Sequence, residues 1–436
     1  MLLNSPVESI RMLESKTGRL LIDHSHTTFS GYQTGVQRVV RNICRHAIDC
    51  ESDFREVVPV LWSHGTFKNT PLGGQSPLKD ATQKTKNGKL LGTIAKWIRR
   101  ENKVDEQPTS LELPFSNTQF AKGDILLLPD AYWAYPMLWP TVDSLRNDGV
   151  QTAVVIYDLI PHTHAEIYGE QGAEGFRNYV RLAYQHADCL LAISETVREQ
   201  LYEHLPDIIG KKNVSVPIRS FKLGADFQDK TGPVRSELQS VFQGSEHQLP
   251  YVMIGTIEAR KNHSFAMDAM EELWNQFPDR RLCIIGQPGW KGEPVIERIT
   301  AHPRFQKQLF WFQNASDAEV LFCYKHAKGV VFPSLTEGFG LPIVEALWNQ
   351  RETFASDTRI HREAGKNFCH YFSLDSSSNL ASQLLSKEGQ RVHPNLASPS
   401  DLVAPWSVAV PNLLGIVHEC LGQAKRSSRF VAGAAA

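Results

Sequence analysis

The sequence predicts an α/β protein made of two doubly wound domains that face each other across a cleft. Three observations support this prediction. The chain of 436 residues is too long for one hydrophobic core and suits two domains. Short apolar runs alternate with helical patterns, which is typical of parallel α/β architecture. A polar stretch without strand-like runs, 227–249, divides this alternation into two series and is predicted to be the linker.

The first domain is predicted over residues 1–226. Its strand-like runs are rich in Leu, Ile and Val: LLIDHS (20–25), VVPVLW (57–62), DILLLP (124–129), TAVVIYD (152–158) and CLLAIS (189–194). An insertion over about 65–115 interrupts the rhythm. Within it, the pattern of residues 89–100 predicts a basic amphipathic helix. Such a helix either rests on anionic headgroups at the inner face of the cell membrane or covers its own domain as a solvated helix.

The second domain is predicted over residues 250–410. Its strand-like runs are YVMIGT (251–256), RLCIIG (281–286), QLFWF (308–312) and GVVFPS (329–334). A C-terminal helix and tail over 411–436 are expected to pack back toward the first domain. Ligands of doubly wound sheets bind at the carboxyl ends of the strands, so the residues that follow each strand are the candidate site residues.

Composition and charge exclude several classes of protein. The hydrophobic content of 42% and charged content of 21% are those of an ordinary globular protein. A formal net charge of −1 gives no field that would attract nucleic acid, so no nucleic-acid partner is predicted. The 7 cysteines form no C-x-x-C pair, which favours free thiols in a reducing compartment. No run approaches the roughly 18 apolar residues that span a bilayer, and no signal-peptide pattern opens the chain; we expect a cytoplasmic protein, at most peripheral to a membrane.

The stretch FPSLTEGFGLPIVEALWNQ (332–350) combines a buried strand, a turn and a helix. Gly338 and Gly340 permit close approach of a ligand to the turn, and the proline that follows marks a helix start. The helix N-terminus would direct free N–H groups at a phosphate. Glu337 precedes the turn, and Glu345 is predicted in the first helical turn. There Glu345 could simply complement the helix dipole, but two acids around one turn fit better with a hydroxyl-rich substrate.

The stretch YVMIGTIEARKNHS (251–264) supplies cations. Gly255 ends a strand, and Arg260 and Lys261 follow it just before a helix. Arginine binds two phosphate oxygens through its planar fork, and lysine adds a mobile charge. Adjacent basic residues can also be plain surface charge. Their pairing with the glycine turn favours a clamp for a diphosphate.

Two segments of the first domain also follow strands. In SGYQTGVQRVVRNI (30–43), Gly35 at a helix start allows the backbone to approach phosphate, while Arg38 faces either the cleft or solvent. In YDLIPHTHAEIYG (157–169), Asp158 ends a strong strand and is predicted to point into the cleft as a catalytic or acceptor-side contact. His162 and Arg38 are predicted on the acceptor side.

Two His-x-His pairs raise the question of a metal site. The pairs are His24 with His26 and His162 with His164. Neither pair has a third ligand at a diagnostic spacing, so no metal is predicted.

Taken in order, these motifs resemble those of the retaining glycosyltransferases of family 4, which have the GT-B fold of two Rossmann-like domains. GTIEARKN (255–262) resembles their diphosphate motif, and FPSLTEGFGLPIVEAL (332–347) resembles their signature of two glutamates separated by seven residues. NASDAEVLFCYKHA (314–327) is similar to a third family segment. TGVQRVVRNI (34–43) resembles bacterial members that build O-antigen and capsule polysaccharide, several of them mannosyltransferases.

The resemblance implies a role for each matched residue. Arg260 and Lys261 would bind the diphosphate and stabilise it as the leaving group. Glu337 would hold hydroxyls of the donor sugar, and Glu345 would bind the ribose hydroxyls. The remaining donor contacts, made through backbone or beside the nucleobase, would come from Gly35, Gly255, Asn314, Gly338, Phe339, Gly340 and Leu341. The family often has His-Asp where this chain has Tyr157-Asp158, which leaves the contacts from the first domain open.

The implied reaction is a retaining, metal-independent transfer of a hexose from a nucleotide-sugar, without a cofactor. The resemblance suggests GDP-mannose as the donor, with a UDP- or dTDP-sugar as alternatives, and a saccharide or lipid-linked saccharide as the acceptor in surface polysaccharide synthesis. Two other functions stay open. A sugar-nucleotide epimerase on the same fold would need further acid–base carboxylates near the sugar. A non-catalytic nucleotide-sugar binder would bind the donor without forming a product.

Overall fold

A computed structural model describes residues 18–30, 34–70, 115–227, 232–386 and 403–422. The amphipathic helix predicted at 89–100 lies outside these residues. The described chain forms two α/β domains, each built on one predominantly parallel sheet. This confirms the predicted fold class.

The N-terminal sheet has 7 strands in the order β3-β2-β1-β4-β5-β6-β7. Neighbouring strands are parallel except for the β2–β3 hairpin at one edge. The strands are β1 Leu20–Asp23, β2 Val57–Ser63, β3 Thr66–Asn69, β4 Ile125–Leu128, β5 Gln151–Ile156, β6 Cys189–Ala192 and β7 Ile218–Ser220. The central strands are buried on both faces, which explains why they appear in the sequence as continuous aliphatic runs.

Helices cover both faces of this sheet. They are α1 Ser25–Phe29, α2 Gly35–Asp49, α3 Leu138–Asn147, α4 Ile160–Thr163, α5 Ala165–Tyr168, α6 Glu170–His186 and α7 Glu195–Ile209. Helix α2 presents Val39, Val40 and Ile43 to the sheet. This apolar stripe fixes the rotation of the helix, so its remaining faces point to solvent and to the second domain.

The C-terminal sheet has 6 strands, all parallel, in the order β10-β9-β8-β11-β12-β13. Its strands are β8 Tyr251–Ile254, β9 Leu282–Ile285, β10 Leu309–Phe312, β11 Gly329–Phe332, β12 Thr353–Ser356 and β13 His370–Phe372. Its helices are α8 Ser236–Val241, α9 His263–Gln276, α10 Glu293–Ala301, α11 Asp317–His326, α12 Leu341–Trp348, α13 Arg359–Gly365 and α14 Ser377–Ser386. The winding direction reverses between β8 and β11, which opens a crevice at their carboxyl ends.

Part of the predicted linker, 227–249, belongs to the second domain. Helix α8 buries Leu238 and Val241 in the same hydrophobic cluster as strands β8 and β9, and Phe242 joins them. A polar surrounding sequence hid this helix, because three apolar residues at helical spacing are a weak signal in a short segment.

The chain returns to the first domain at its C-terminal end. Helix α15, Trp406–Val417, begins before the predicted boundary at residue 411 and packs against α2. The backbone N–H of Trp406 donates to Asp226 Oδ1 at 2.6 Å. A Cβ at Gly224 would lie 2.6 Å from Trp406, so glycine is what allows this close crossing. None of the described helices is both long and apolar enough to cross a membrane.

The two domains are in direct contact beside the cleft. Ser194 Oγ, at the start of α7, donates to the carbonyl of Gly338 at 2.8 Å. Glu363 of α13 accepts hydrogen bonds from the backbone N–H groups of Glu195 at 2.6 Å and Thr196 at 2.8 Å. A carboxylate from the second domain therefore caps a helix of the first. These contacts hold the carboxyl edges of the two sheets opposite one another.

Candidate active site

The predicted cations and the first predicted acid come from neighbouring strands. Arg260 and Lys261 lie in a short 3-10 turn after β8, and Glu337 lies in the loop after β11. The backbone N–H of Leu335 donates to the carbonyl of Arg260 at 2.8 Å and ties the two loops together. The three charged residues therefore meet at the crevice where the sheet reverses its winding.

Glu337 lies between the two cations. Its Oε2 is 2.6 Å from Arg260 Nη1, and its Oε1 is 2.6 Å from Lys261 Nζ. Glu337 and Lys261 are each only 8% exposed. Arg260 Nε also donates to Glu258 Oε2 at 2.9 Å. The resulting cluster is compact, buried and internally paired, as buried charges must be.

The charges in this cluster determine its protonation. Burial alone would raise the pKa of Glu337, but the cations of Arg260 and Lys261 lower it to about 2. Burial lowers the pKa of Lys261, and the charge of Glu337 opposes that change. Glu337 is therefore ionised at neutral pH, when a carboxylate can only accept hydrogen bonds, which suits it to hydroxyl donors.

Asp158 of the first domain faces this cluster. Burial raises the pKa of Asp158, while the Arg260 guanidinium lowers it. A Cβ at Gly338 would lie 2.1 Å from the carbonyl oxygen of Tyr157, so the loop that carries Glu337 approaches the β5 loop as closely as glycine allows. Tyr168 ends α5 nearby; burial raises the pKa of its hydroxyl, and the Arg260 guanidinium opposes that rise. Sequence reasoning missed Tyr168, since no motif marks it.

The predicted glycine contacts surround the same crevice. Gly340 has a φ of 96° and is the N-cap of α12, a left-handed conformation that favours glycine. Gly255 lies beside Lys261, where an added Cβ would be 3.6 Å from the lysine Cε. Gly35, at the start of α2, lies against Leu341, and an added Cβ would be 3.5 Å from Leu341 Cδ1. Phe339 is buried in the core cluster that both domains share.

The prediction that Glu345 lies in the first turn of its helix is wrong. Helix α12 begins at Leu341, so Glu345 lies beyond the first turn, and no acid occupies that turn. Glu345 is 3% exposed and accepts from Tyr324 Oη at 2.8 Å. Complementing the helix dipole therefore does not explain this acid, because the dipole effect fades within the first turn.

Arg38, which was predicted on the acceptor side, contacts two acids of the second domain. Arg38 Nη1 donates to Glu345 Oε1 at 2.5 Å, and its Nη2 donates to Asp317 Oδ1 at 2.9 Å. Its guanidinium lies 5.1 Å from the ring centroid of Phe227. The apolar stripe of α2 faces the first sheet, which directs Arg38 across the cleft into the second domain.

His162 does not join the cluster either. Its ring packs edge-on against His204 of α7, with 5.2 Å between the ring centroids. Burial lowers the pKa of His162, and the charges of His204 and Arg177 lower it further. These neighbours belong to α7 and α6 of the first domain. The predicted acceptor-side role is therefore not supported by its position.

Asn314 lines a cavity in the same domain as the charged crevice, at the start of α11. Its Oδ1 accepts from Gln287 Nε2 at 2.6 Å. The cavity, of about 300 Å³, is lined by Gly232, Pro233, Arg235, Asn314, Ser316, Asp317, Ala318 and Glu319. Arg235 pairs with Glu319 at 2.6 Å and lies over the ring of Phe312. Another cavity, of about 330 Å³, lies in the first domain beside the amino end of β5. It is therefore at the end of the sheet that faces away from the cleft.

Among the described residues, no group of three or more His, Cys, Asp or Glu side chains is arranged to hold a metal ion. The positive charge of the crevice comes from Arg260 and Lys261. A second acid, Glu258, pairs with Arg260, so the cluster offers both charged donors and charged acceptors. An anion with attached hydroxyl groups matches such a set.

Comparison with known sequences places this geometry in a family context. Residues 236–383, most of the second domain, match the family described as glycosyl transferases group 1. Over 390 residues the chain is 27% identical to the serotype-specific mannosyltransferase WbdA of Escherichia coli. This match covers 87% of this chain and 44% of WbdA. It is 20% identical over 249 residues to the O-antigen chain mannosyltransferase RfbU of Salmonella typhimurium, covering 57% of this chain and 63% of that protein. The chain thus spans less than half the length of WbdA.

Solved structures share the whole architecture. Anabaena Alr3699/HepE, solved in complex with UDP and glucose, superposes with a TM-score of 0.54 at 13% identity, over 95% of this chain and 99% of that one. Sucrose-phosphate synthase from Thermosynechococcus elongatus gives a TM-score of 0.53 at 14% identity, over 96% and 100%. At such identities the likeness concerns the fold alone. The two facing parallel-sheet domains have the GT-B fold, as predicted.

Proposed function

We propose that this chain, a GT-B protein with a glycosyl transferases group 1 domain, is a retaining hexosyltransferase that moves a sugar from a nucleotide-sugar to a saccharide acceptor. The observation that carries the proposal is the buried cluster of Arg260, Lys261 and Glu337 at the reversal point of the second sheet, faced by Asp158 of the first. Two cations and an ionised acid at one crevice suit a sugar diphosphate. Two other acids lie near Arg260: Glu258 in the second domain and Asp158 in the first.

Arg260 and Lys261 would bind the diphosphate and replace the divalent ion that other transferases use. As the glycosidic C–O bond breaks, its electron pair goes to the diphosphate, so negative charge grows next to both cations. Fixed charges at that place stabilise the transition state more than the ground state. The acceptor oxygen forms the new bond on the same face of the sugar, and its proton passes to a departing phosphate oxygen.

Glu337 would hold hydroxyl groups of the donor sugar. Its low pKa keeps it ionised, and Arg260 and Lys261 fix its position. The backbone of Gly338, Phe339, Gly340 and Leu341 and that of Gly35 would line the phosphates and the sugar. Asp158 would contact the reacting groups from the acceptor side. Contact between the domains excludes water and so limits hydrolysis of the donor.

The donor and acceptor are inferred from the relatives. WbdA and RfbU are named as mannosyltransferases, and RfbU acts on the O-antigen chain. These names favour GDP-mannose as donor and a growing, lipid-linked surface saccharide as acceptor. The nucleobase would lie in the cavity beside Asn314, and the ribose beside Glu345. Peripheral contact with the inner membrane through 89–100 stays a prediction.

A transfer assay tests the proposal. We expect the purified protein to move mannose from GDP-mannose to a fluorescent mannose-terminated oligosaccharide, with NMR showing that the anomeric configuration is retained. UDP- and dTDP-sugars run in parallel identify a different donor. Conversion of a nucleotide-sugar without any acceptor would instead indicate an epimerase. Nucleotide binding by calorimetry without any product would indicate a non-catalytic binder.

A further inference from the structure

One cation of the first domain lies within the proposed nucleotide site of the second. Arg38 extends from α2 and bridges two acids on different helices, Glu345 of α12 and Asp317 of α11, at 2.5 and 2.9 Å. Asp317 also lines the cavity beside Asn314. Arg38 therefore connects the acid proposed to bind ribose with the wall of the cavity proposed to hold the base.

Both carboxylate oxygens of Glu345 accept a hydrogen bond, and the carboxylate can accept further ones. Its Oε1 accepts from Arg38, and its Oε2 accepts from Tyr324 at 2.8 Å. A carboxylate offers about four acceptor positions, so about two remain for vicinal hydroxyls. The two existing bonds fix the plane of the carboxylate, and this preorganisation lowers the cost of binding a diol.

We propose that Arg38 is a positioning residue for the donor: it holds Glu345 in place for the ribose hydroxyls, so that the nucleotide site is complete only when the two domains are closed. This inference rests on the proposed function, which assigns Glu345 to the ribose. Arg38 acts through Glu345 and not on the reacting atoms. The acceptor domain thereby contributes to the specificity of donor binding.

The charges around Glu345 support the same role. Burial raises the pKa of Glu345, while Arg38 and the hydrogen bond from Tyr324 lower it, and Asp317 raises it again. Without Arg38 both its charge and its hydrogen bond, each of which lowers the pKa of Glu345, are lost, so that pKa rises further. Protonated Glu345 loses acceptor capacity. The affinity of an Arg38 variant for nucleotide should therefore weaken as the pH falls, over a range in which the wild-type affinity stays level.

A plain interdomain tether is the alternative. Glu363 offers the comparison, because it links the domains through the backbone of Glu195 and Thr196 on α7 and bonds to neither Glu345 nor Asp317 among the described residues. If Arg38 only tethers the domains, Arg38→Gln and Glu363→Gln should act alike. If Arg38 positions Glu345, only Arg38→Gln should change how the ribose is recognised.

Calorimetry with paired ligands separates these cases. GDP and 2′,3′-dideoxy-GDP are titrated into the full chain, with UDP and its dideoxy analogue in parallel. We expect the wild type to prefer the ribonucleotide by about tenfold or more, as hydrogen bonds to a charged group imply. In Arg38→Gln this preference should fall below about threefold while the affinity for the dideoxy ligand is kept. Arg38→Lys should be intermediate, and its milder change guards against a variant that does not fold.

Two further variants, Arg45→Gln and Glu345→Gln, decide between the outcomes. Arg45→Gln, an exposed residue on the same helix, should behave as wild type. If Glu345→Gln keeps the ribose preference, Glu345 does not bind ribose and its assigned role fails. If Glu345→Gln loses the preference but Arg38→Gln retains it, the positioning role of Arg38 is overturned while the proposed function stands. An equal loss of affinity for both ligands in Arg38→Gln would overturn it too.

Discussion

The carboxyl edges of the two sheets differ in how their polar residues are assembled. In the second domain the charged cluster comes from two loops on neighbouring strands, and one backbone hydrogen bond between Leu335 and Arg260 joins them. In the first domain Asp158 and Tyr168 come from the segment after β5, and Arg38 comes from α2, which directs it across the cleft. The edge of the second sheet, the donor edge, is thus assembled from the ends of two adjacent strands. The edge of the first sheet, the facing edge, also depends on how its helices pack.

This difference predicts where substitutions act. A change at the donor edge removes charge from a buried, fully paired cluster, so it should affect the reaction strongly and affect stability as well. A change at the facing edge removes one contact from a more dispersed set. Its effect on the reaction should be smaller, and outside Arg38 the affinity for nucleotide should be unchanged.

Glu337→Ala should have the largest effect, because it leaves two buried cations without their shared partner. We expect transfer to be lost, by about a thousandfold or more, as removal of both a sugar contact and the cluster geometry implies. Breaking a buried ion pair should also cost about 3–5 kcal/mol of the free energy of unfolding. Initial rates and chemical denaturation measure the two effects. Glu293→Ala, an exposed acid at the start of α10, is the control and should change neither quantity.

Lys261→Ala should come next. The loss of one fixed cation next to the developing charge should cost about 3–4 kcal/mol of barrier, or roughly a hundred- to a thousandfold in kcat, by analogy with a lost oxyanion donor. Thermal melting should show a folded protein. The exposed Lys307→Ala should retain full activity. Turnover of Lys261→Ala near the wild-type level would show that the diphosphate is bound elsewhere.

Asp158→Asn tests the facing edge. We expect kcat to fall by about ten- to a hundredfold, the size of a lost hydrogen bond to a charged group, with the nucleotide Kd unchanged. Asp143→Asn, exposed beside the cavity at the other edge of the sheet, is the matched control. A fall in nucleotide affinity equal to the fall in kcat would place Asp158 in the donor site and erase the contrast between the two edges.

The same contrast explains how much of the molecule could be predicted from its sequence. The buried strands were predictable because runs such as Ile125–Leu128 and Gly329–Phe332 are aliphatic on both faces. Strands β3, β7 and β13 were missed because they are short, partly exposed and at sheet edges. Strand β12 was missed although it is buried, because two of its four residues, Thr353 and Ser356, are polar. Helix α8 was missed because its apolar content is small.

The residues of the candidate site also differ in how far the sequence predicts their positions. Arg260, Lys261 and Glu337 could be placed together from the sequence, since each follows a strand and doubly wound sheets align those ends. The contacts of Arg38 and His162 could not be predicted. The apolar stripe of α2 is visible in the sequence, but the partners of Arg38 in the second domain and the packing of α4 against α7 involve residues far away in sequence. Roles at the facing edge therefore need the tertiary structure.

His162→Ala should have the smallest effect, and it sharpens the comparison within the first domain itself. Asp158 and His162 follow the same strand, yet only Asp158 faces the charged cluster, while His162 packs against His204. We expect transfer rates within about twofold of wild type and a loss of roughly 1 kcal/mol or less in the free energy of unfolding, as for most single substitutions away from special features. His204→Ala should reproduce that small loss, because the two rings share one contact. A tenfold fall in acceptor-dependent kcat/KM for His162→Ala alone would mean that α4 rotates on substrate binding and brings this histidine into the cleft.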